Sequence, residues 1–150
     1  MWAAASGADS PGVVTSVPFF QPARQEPGGV TLLPAVKRIL LVEDDAEVCD
    51  VLAFLLNKEG YEVCPALSLR EAMSQGGRFD LYVIDRQLPD GDGLDLCRAV
   101  KRQVSGAPVV IYSGSALPED HKAAYAAGAD AYVNKPHLSH LAKTVKDQLR

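Results

Sequence analysis

The sequence predicts an α/β protein with a parallel β-sheet and helices on both faces. Between residues 37 and 150, short apolar runs alternate five times with segments whose apolar residues recur at helical spacing. Continuous apolar runs are typical of strands buried on both faces, and strands joined through helices pair in parallel. Four of the runs also end in polar residues, which indicates a site at one edge of the sheet.

Composition and charge exclude several classes of protein. The net charge of −4 gives no strong attraction to nucleic acid or to a membrane surface. No apolar run approaches the roughly 18–20 residues that a bilayer span requires. The start of the chain has no basic segment followed by a long apolar core, so it does not resemble a signal peptide. Cys49, Cys64 and Cys97 lie inside apolar patterns. We therefore expect free, buried thiols and a reducing, cytoplasmic location.

The chain divides into a tail and one domain. Five of the ten prolines lie within residues 1–36, where neither a helical nor an alternating apolar period is visible. Such a segment is expected to be a flexible tail. The single folded domain is predicted over residues 37–150.

The first half of the domain contains three predicted strands. Arg38–Val42 is an apolar strand, and Asp44 or Asp45 is placed to cap the helix Ala46–Lys58. The second strand covers Tyr61–Ala66. It is followed by a helix that starts with a capping box of Ser and Glu three residues apart and ends at a pair of glycines. The third strand, Phe79–Ile84, stops at an aspartate.

The second half repeats the same alternation. A turn rich in Pro and Gly leads into a helix with apolar residues from Leu94 to Val104. Strand Val109–Tyr112, helix Pro118–Ala127, strand Ala131–Val133 and helix His137–Leu149 complete the domain.

Polar side chains at four strand ends are predicted to converge. The first strand is followed by Glu43 and Asp44, the third by Asp85, the fourth by Ser113 and the fifth by Lys135. Parallel strands bring these ends to one edge of the sheet. Carboxylates gathered there repel one another unless a cation neutralises them, and Mg²⁺ prefers oxygen ligands. A carboxylate beside Mg²⁺, a lysine and a hydroxyl is suited to phosphoryl transfer, with Asp85 as the nucleophile.

Four motifs, each closing a predicted strand, give the chain a clear resemblance to a known family. The motifs are LVEDD (41–45), VIDRQLPDGDG (83–93), VIYSG (110–114) and GADAYVNKP (128–136). The chain from about residue 37 onward resembles the receiver domain of two-component response regulators, in particular the single-domain, chemotaxis-regulator-like type. The resemblance implies a flavodoxin-like fold, with five parallel strands in the order 2-1-3-4-5.

The resemblance also implies a metal site. Asp85 corresponds to the phosphoacceptor, Asp44 to the direct metal ligand and Glu43 to the acid that reaches the metal through water. The backbone carbonyl of Gln87 corresponds to a further ligand. The expected cofactor is Mg²⁺ or Mn²⁺.

Further residues correspond to the family's switch elements. Ser113 matches the switch hydroxyl, Lys135 the phosphate-binding lysine and Tyr132 the switch aromatic. The peptide bond from Lys135 to Pro136 is expected to be cis. Gly114 stands where the family often has Ala, which leaves the dephosphorylation rate open.

The implied function is a phosphorylation-dependent signalling switch. A sensor histidine kinase or histidine phosphotransfer protein donates the phosphoryl group, and the face formed by the fourth helix, fifth strand and fifth helix changes its binding to a protein partner or forms a homodimer. The protein would catalyse only its own phosphorylation and dephosphorylation. With no effector domain visible after the fifth helix, neither nucleic-acid binding nor membrane insertion is expected.

Three alternatives to this function were considered. One is a phosphorylation-independent adaptor or dimerisation domain, and another is the receiver fragment of a larger regulator. The third, a phosphatase with an aspartyl nucleophile, is disfavoured because Gln87 stands where those enzymes have a second Asp.

Other polar residues have simpler interpretations. Asp45 is expected to cap a helix or face solvent. Asp90 and Asp92 are expected to be turn residues, and Ser115 a satisfied hydroxyl. The run at residues 119–122 is predicted to be a solvated helix face. All three histidines, His121, His137 and His140, are predicted to lie on the surface.

Overall fold

A computed structural model describes residues 35–150, so nearly all of the tail predicted for residues 1–36 lies outside the described residues. Within that part of the chain, five strands form the main sheet and five helices connect and follow them. The strands are β1 (Arg38–Val42), β2 (Glu62–Ala66), β3 (Leu81–Ile84), β4 (Val109–Ser113) and β5 (Ala131–Asn134). The helices are α1 (Ala46–Lys58), α2 (Leu69–Ser74), α3 (Gly93–Gln103), α4 (Pro118–Ala126) and α5 (Leu138–Gln148).

The sheet has the predicted topology. Its strands are all parallel and lie in the order β2-β1-β3-β4-β5, which confirms the flavodoxin-like arrangement. A small antiparallel hairpin, Gln87–Leu88 with Gly91–Asp92, lies between β3 and α3. The chain passes from β1 to β2 on one side and then crosses to β3 on the other side of β1, so the carboxyl ends of the neighbouring strands β1 and β3 open onto one crevice.

Two apolar cores cover the two faces of the sheet. On one face, Leu41 and Val83 pack with Leu52 of α1 and Leu141 of α5. On the other face, Leu40, Tyr82 and Ile111 pack against residues of α2, α3 and α4. The central strands are therefore buried on both sides, which explains why they are continuous apolar runs rather than alternating ones.

The helix caps match the sequence signals with one difference. Asp45 is the N-cap of α1, and its Oδ1 accepts hydrogen bonds from the backbone N–H groups of Glu47 and Val48. Ser68 accepts from the Glu71 N–H, as in a capping box. The Glu71 carboxylate, however, accepts from the N–H of Leu67 rather than that of Ser68.

Two details of the strands correct the predictions. The sequence predicts a buried Cys64, but this residue is only half-buried because β2 is an edge strand of the sheet. All three cysteines are free, as predicted. The third strand begins at Leu81 rather than Phe79, because the Asp80 side chain accepts the Arg38 N–H at 2.8 Å where a strand carbonyl would otherwise do so.

The described helices include none that combines the length and the apolar character needed to cross a membrane.

Candidate functional site

The backbone ladder of the sheet fixes the polar residues that follow the strands. The N–H of Glu43 donates to the Ala66 carbonyl at 3.0 Å, and the N–H of Asp85 donates to the Val42 carbonyl at 2.9 Å. The N–H of Lys135 donates to the Ser113 carbonyl at 2.9 Å. Each site residue therefore occupies the first position after a strand while its backbone is still held by the neighbouring strand.

Three carboxylates converge at this edge, as the sequence predicted. One oxygen each from Glu43, Asp44 and Asp85 lies within 4.8 Å of the other two. The side chains of Glu43 and Asp85 are buried, whereas Asp44 is exposed. Like charges at such short range are unfavourable, so the cluster needs a cation beside it.

Lys135 supplies one positive charge to the cluster. Its Nζ lies 2.7 Å from Glu43 Oε1 and 2.9 Å from Asp85 Oδ2. Burial disfavours the charged form of this lysine, but the hydrogen bonds that it donates to Glu43 and Asp85 outweigh that effect and raise its pKa. Lys135 is therefore a cation at neutral pH, and it bridges the two buried carboxylates.

The environment of Glu43 disfavours its charge. Burial raises the pKa of this carboxyl above its ordinary value, and the nearby charge of Asp85 acts in the same direction. The bonds from Lys135 and from the Asp45 N–H oppose the shift without cancelling it. The Lys135 ammonium therefore offsets the unfavourable environment of this carboxyl only in part.

The donor set fits a hard divalent cation. All the candidate ligands of Glu43, Asp44 and Asp85 are carboxylate oxygens, which suit Mg²⁺ or Mn²⁺ better than soft metals. Asp44, exposed to solvent, leaves room for the water ligands that Mg²⁺ retains. The Gln87 N–H donates to Asp85 Oδ1 at 3.2 Å, which places this residue beside the cluster. The role of its carbonyl as a ligand stays a prediction.

Ser113 and Tyr132 lie on the α4 side of the cluster. Ser113 is buried at the end of β4, and it lines a cavity of about 670 Å³ together with Gln87 and Ser115. The Tyr132 ring is also buried, and its hydroxyl donates to the Ser115 carbonyl at 2.9 Å. Ser115 is a hydrogen-bonded residue, as predicted. The peptide bond from Lys135 to Pro136 is cis, as the resemblance implied.

The prediction that His121 lies on the surface is wrong. Its ring stacks on Tyr132, with centroids 3.9 Å apart and planes inclined by 26°. Its Nε2 is buried and has no hydrogen-bond partner among the described residues. The polar residues on either side of it suggested a solvated helix face, but α4 turns this position toward β5. His137 and His140 are exposed, as predicted.

The loop after Asp85 is fastened by residues that the sequence indicated only as turn formers. The Asp90 carboxylate accepts the N–H groups of Leu69 and Arg70 at 2.8 and 2.9 Å, which attaches the loop to the start of α2. Asp92 caps α3 by accepting the Leu94 N–H at 2.9 Å. The loop that carries the candidate nucleophile is thus tied to two helices.

The fold and this site define a class of α/β protein that gathers an acidic cluster, a lysine and a hydroxyl at the carboxyl edge of a parallel sheet. The family model described as the response regulator receiver domain matches residues 39–146. The chain belongs to the receiver domain family of two-component response regulators.

Curated relatives and solved structures agree with this assignment. The chain is 36% identical over 110 residues to the alkaline phosphatase synthesis transcriptional regulatory protein SphR of Synechococcus elongatus, covering 66% of this chain and 43% of SphR. It is 33% identical over 101 residues to the cell cycle transcriptional regulator CtrA of Caulobacter vibrioides, with 66% and 44% covered. The chain therefore spans less than half the length of these relatives.

Among solved structures, a CheY-like receiver domain protein of Methanospirillum hungatei superposes with a TM-score of 0.72 at 33% identity. The match covers 77% of this chain and 94% of that one. The response regulator TrrA of Thermotoga maritima, solved in complex with Mg²⁺-BeF, gives a TM-score of 0.69 at 28% identity, covering 76% and 100%. The relatives are response regulators rather than conventional enzymes.

Proposed function

We propose that the protein is a phosphorylation-dependent signalling switch whose phosphoacceptor is Asp85. The observation that carries this proposal is the bridge from the Lys135 ammonium to two buried carboxylates, Glu43 and Asp85, with Asp44 beside them. A buried cluster of this kind, in which one ammonium already offsets part of the negative charge, is suited to receive further negative charge once a metal is present.

The chemistry proposed is one phosphoryl transfer followed by one hydrolysis. A carboxylate oxygen of Asp85 attacks the phosphorus of a phosphohistidine on a sensor histidine kinase or a phosphotransfer protein. The P–N bond breaks, the imidazole leaves, and an acyl phosphate forms on Asp85. Water later cleaves the acyl phosphate, which returns the carboxylate and releases inorganic phosphate. The protein catalyses no turnover other than that of its own phosphoryl group.

Each side chain of the site has a distinct part in this transfer. Mg²⁺ or Mn²⁺, held by Glu43, Asp44 and Asp85, with the Gln87 carbonyl proposed as a further ligand, would stabilise charge on the phosphoryl oxygens. The Lys135 ammonium offsets that charge from the other side. The Ser113 hydroxyl donates a hydrogen bond to one phosphoryl oxygen.

The signal is proposed to leave through α4, β5 and α5. Ser113 is the last residue of β4 and Ser115 lies two residues further on, and the Ser115 carbonyl accepts the Tyr132 hydroxyl. A movement of Ser113 toward the phosphoryl group therefore acts on Tyr132 and on His121, which is stacked against it. We propose that this biases a two-state equilibrium of the α4-β5-α5 face, which then binds a protein partner or a second copy of the chain.

One experiment distinguishes the proposed switch from the alternative of an adaptor that works without phosphorylation. The wild-type protein and the Asp85→Asn variant would be incubated with acetyl phosphate and Mg²⁺, and their mass and their amide hydrogen exchange measured. If the protein is a switch, the wild type gains one phosphoryl group and its hydrogen exchange changes in α4 and β5. The Asp85→Asn variant then shows neither change. An adaptor shows the same exchange in both samples.

The curated relatives are relevant to the alternative that this chain is the receiver part of a larger regulator. They are named as transcriptional regulators, and the chain matches less than half of their length. For the described domain itself we propose protein partners and no direct contact with nucleic acid.

Magnesium binding gives a prediction that does not depend on phosphorylation. At a Mg²⁺ concentration about tenfold above Kd, the free energy of unfolding should rise by about 1.4 kcal/mol, because the ion binds only the folded site. Asp44→Asn should remove most of this increase, since Asp44 is a proposed direct ligand. Urea denaturation with and without Mg²⁺ measures the effect. Asp95→Asn, an exposed acid on α3, is the matched control and should keep the full increase. An equal response of both variants to Mg²⁺ would place the ion elsewhere.

A further inference from the structure

Arg86, the residue directly after Asp85, connects the phosphoacceptor loop to α4. Its Nη1 lies 2.9 Å from Asp120 Oδ1, and its Nε lies 3.5 Å from Asp92 Oδ1. Asp120 belongs to the first turn of α4, 34 residues further along the chain. The prediction that residues 119–122 form a solvated face is therefore wrong for Asp120, whose carboxylate is half-buried against this arginine.

The same aspartate also holds the loop between β4 and α4. The second carboxylate oxygen of Asp120 accepts a hydrogen bond from the Ser115 hydroxyl. The Ser115 carbonyl in turn accepts from the Tyr132 hydroxyl and from the Asn134 side-chain amide. A continuous set of polar contacts therefore runs from Arg86, through Asp120 and Ser115, to β5.

This network lies along an open cavity rather than in the core. Arg86, Asp92, Ser115 and Asp120 all line the cavity of about 670 Å³ to which Ser113 also contributes. The side chains of Arg86 and Asp120 are 25% and 28% exposed. An ion pair at this depth is stronger than one on the open surface but is still sensitive to new charge nearby.

We propose that Arg86 is a positioning residue that transmits the phosphorylation state of Asp85 to α4. This inference rests on the proposed function. In the unphosphorylated protein, Arg86 holds Asp120 and, through it, Ser115. An acyl phosphate carries more negative charge than the carboxylate it replaces, so it competes with Asp120 for the guanidinium. Loss of the pair frees Ser115 and the first turn of α4 from the loop that carries Asp85.

A purely structural role for Arg86 would stabilise the loop without responding to phosphorylation. The two roles differ in a measurable way, because only the coupling role makes the effect of phosphorylation on α4 depend on Arg86. The relevant amides are those of Asp120 and His121, which donate to the Leu117 carbonyl, and that of Leu117, which donates to the Ser115 hydroxyl.

The test is hydrogen exchange measured by mass spectrometry on the full chain, with and without acetyl phosphate and Mg²⁺. The proteins would be the wild type, Arg86→Met, Asp120→Asn and the double variant. Without phosphate, each single variant should raise exchange at residues 115–121 by about fivefold, and the double variant should add little to either. Arg98→Met is the matched control, because Arg98 also pairs with an aspartate at 2.9 Å but within α3. It should leave exchange at residues 115–121 unchanged.

Phosphorylation should raise exchange at residues 115–121 in the wild type and add little in Arg86→Met. The inference is overturned if both single variants exchange like the wild type, if Arg98→Met gives the same rise, or if phosphorylation has the same effect with and without Arg86. Intact mass separates this failure from failure of the proposed function. If neither the wild type nor any variant gains a phosphoryl group, the proposed switch function is wrong, and the proposed role of Arg86 is wrong with it.

Discussion

Asp85→Asn is expected to lower phosphorylation by acetyl phosphate and Mg²⁺ by more than about a hundredfold, as the loss of a nucleophile does. An amide cannot attack phosphorus as a carboxylate does. The nearest buried carboxylate, Glu43, is only 1% exposed and is held by Lys135, so it is a poor substitute. The intact mass of the protein over time measures the effect.

The control for this variant is another aspartate that is close in sequence but outside the cluster. Asp95 is exposed on α3 and pairs with Arg98, so Asp95→Asn should be phosphorylated at the wild-type rate. Circular dichroism would establish that both variants are folded. Phosphorylation of Asp85→Asn at the rate of Asp95→Asn would show that another residue is the acceptor.

Gly93→Ala is expected to have the largest effect on stability, a loss of about 2–4 kcal/mol in the free energy of unfolding. A Cβ at this position would lie 2.1 Å from the backbone oxygen of Asp85, 2.8 Å from Cγ2 of Ile84 and 3.0 Å from the Cα of Arg86. The Gly93 N–H also donates to the Arg86 carbonyl at 2.7 Å, so the two segments cannot separate without losing this bond. The methyl group must displace the loop that carries Asp85. We therefore expect phosphorylation to slow as well, and urea denaturation together with the mass time course tests both effects.

Gly114→Ala is the matched control for the same chemical change. A Cβ at Gly114 would meet no heavy atom within 4 Å, and the residue is exposed beside Ser113. Its free energy of unfolding should stay within about 0.5 kcal/mol of the wild type. Equal destabilisation of the two variants would refute the close packing of Gly93 against the phosphoacceptor loop.

The sheet and the residues at its edge were predictable because their signals are local. Each central strand is a continuous apolar run that changes to a polar residue at one position, as from Val42 to Glu43 and from Ile84 to Asp85. A parallel sheet then places those positions together without any knowledge of distant contacts. Asp45 and Ser68 were predictable as caps for a similar reason, since a cap bonds to residues two or three positions away.

The contacts that sequence patterns could not indicate join distant segments. His121 lies in a polar run, and only the packing of α4 on β5 shows that its ring stacks on Tyr132. Likewise, the pairing of Arg86 with Asp120 depends on two loops that meet only in the folded protein. Half-burial of Cys64 follows from the edge position of β2, which the resemblance implied but the apolar pattern around this cysteine did not show.

The most direct test of the central claim is to locate the phosphoryl group and to make its arrival depend on the metal. The wild-type protein would be incubated with acetyl phosphate in Mg²⁺ or in EDTA, and the product digested and mapped by mass spectrometry under conditions that preserve acyl phosphates. We predict one phosphoryl group, on the peptide that contains Asp85, in the Mg²⁺ sample alone. A phosphoryl group on another peptide, or equal modification in EDTA, would contradict the assignment of Asp85 as a metal-assisted phosphoacceptor.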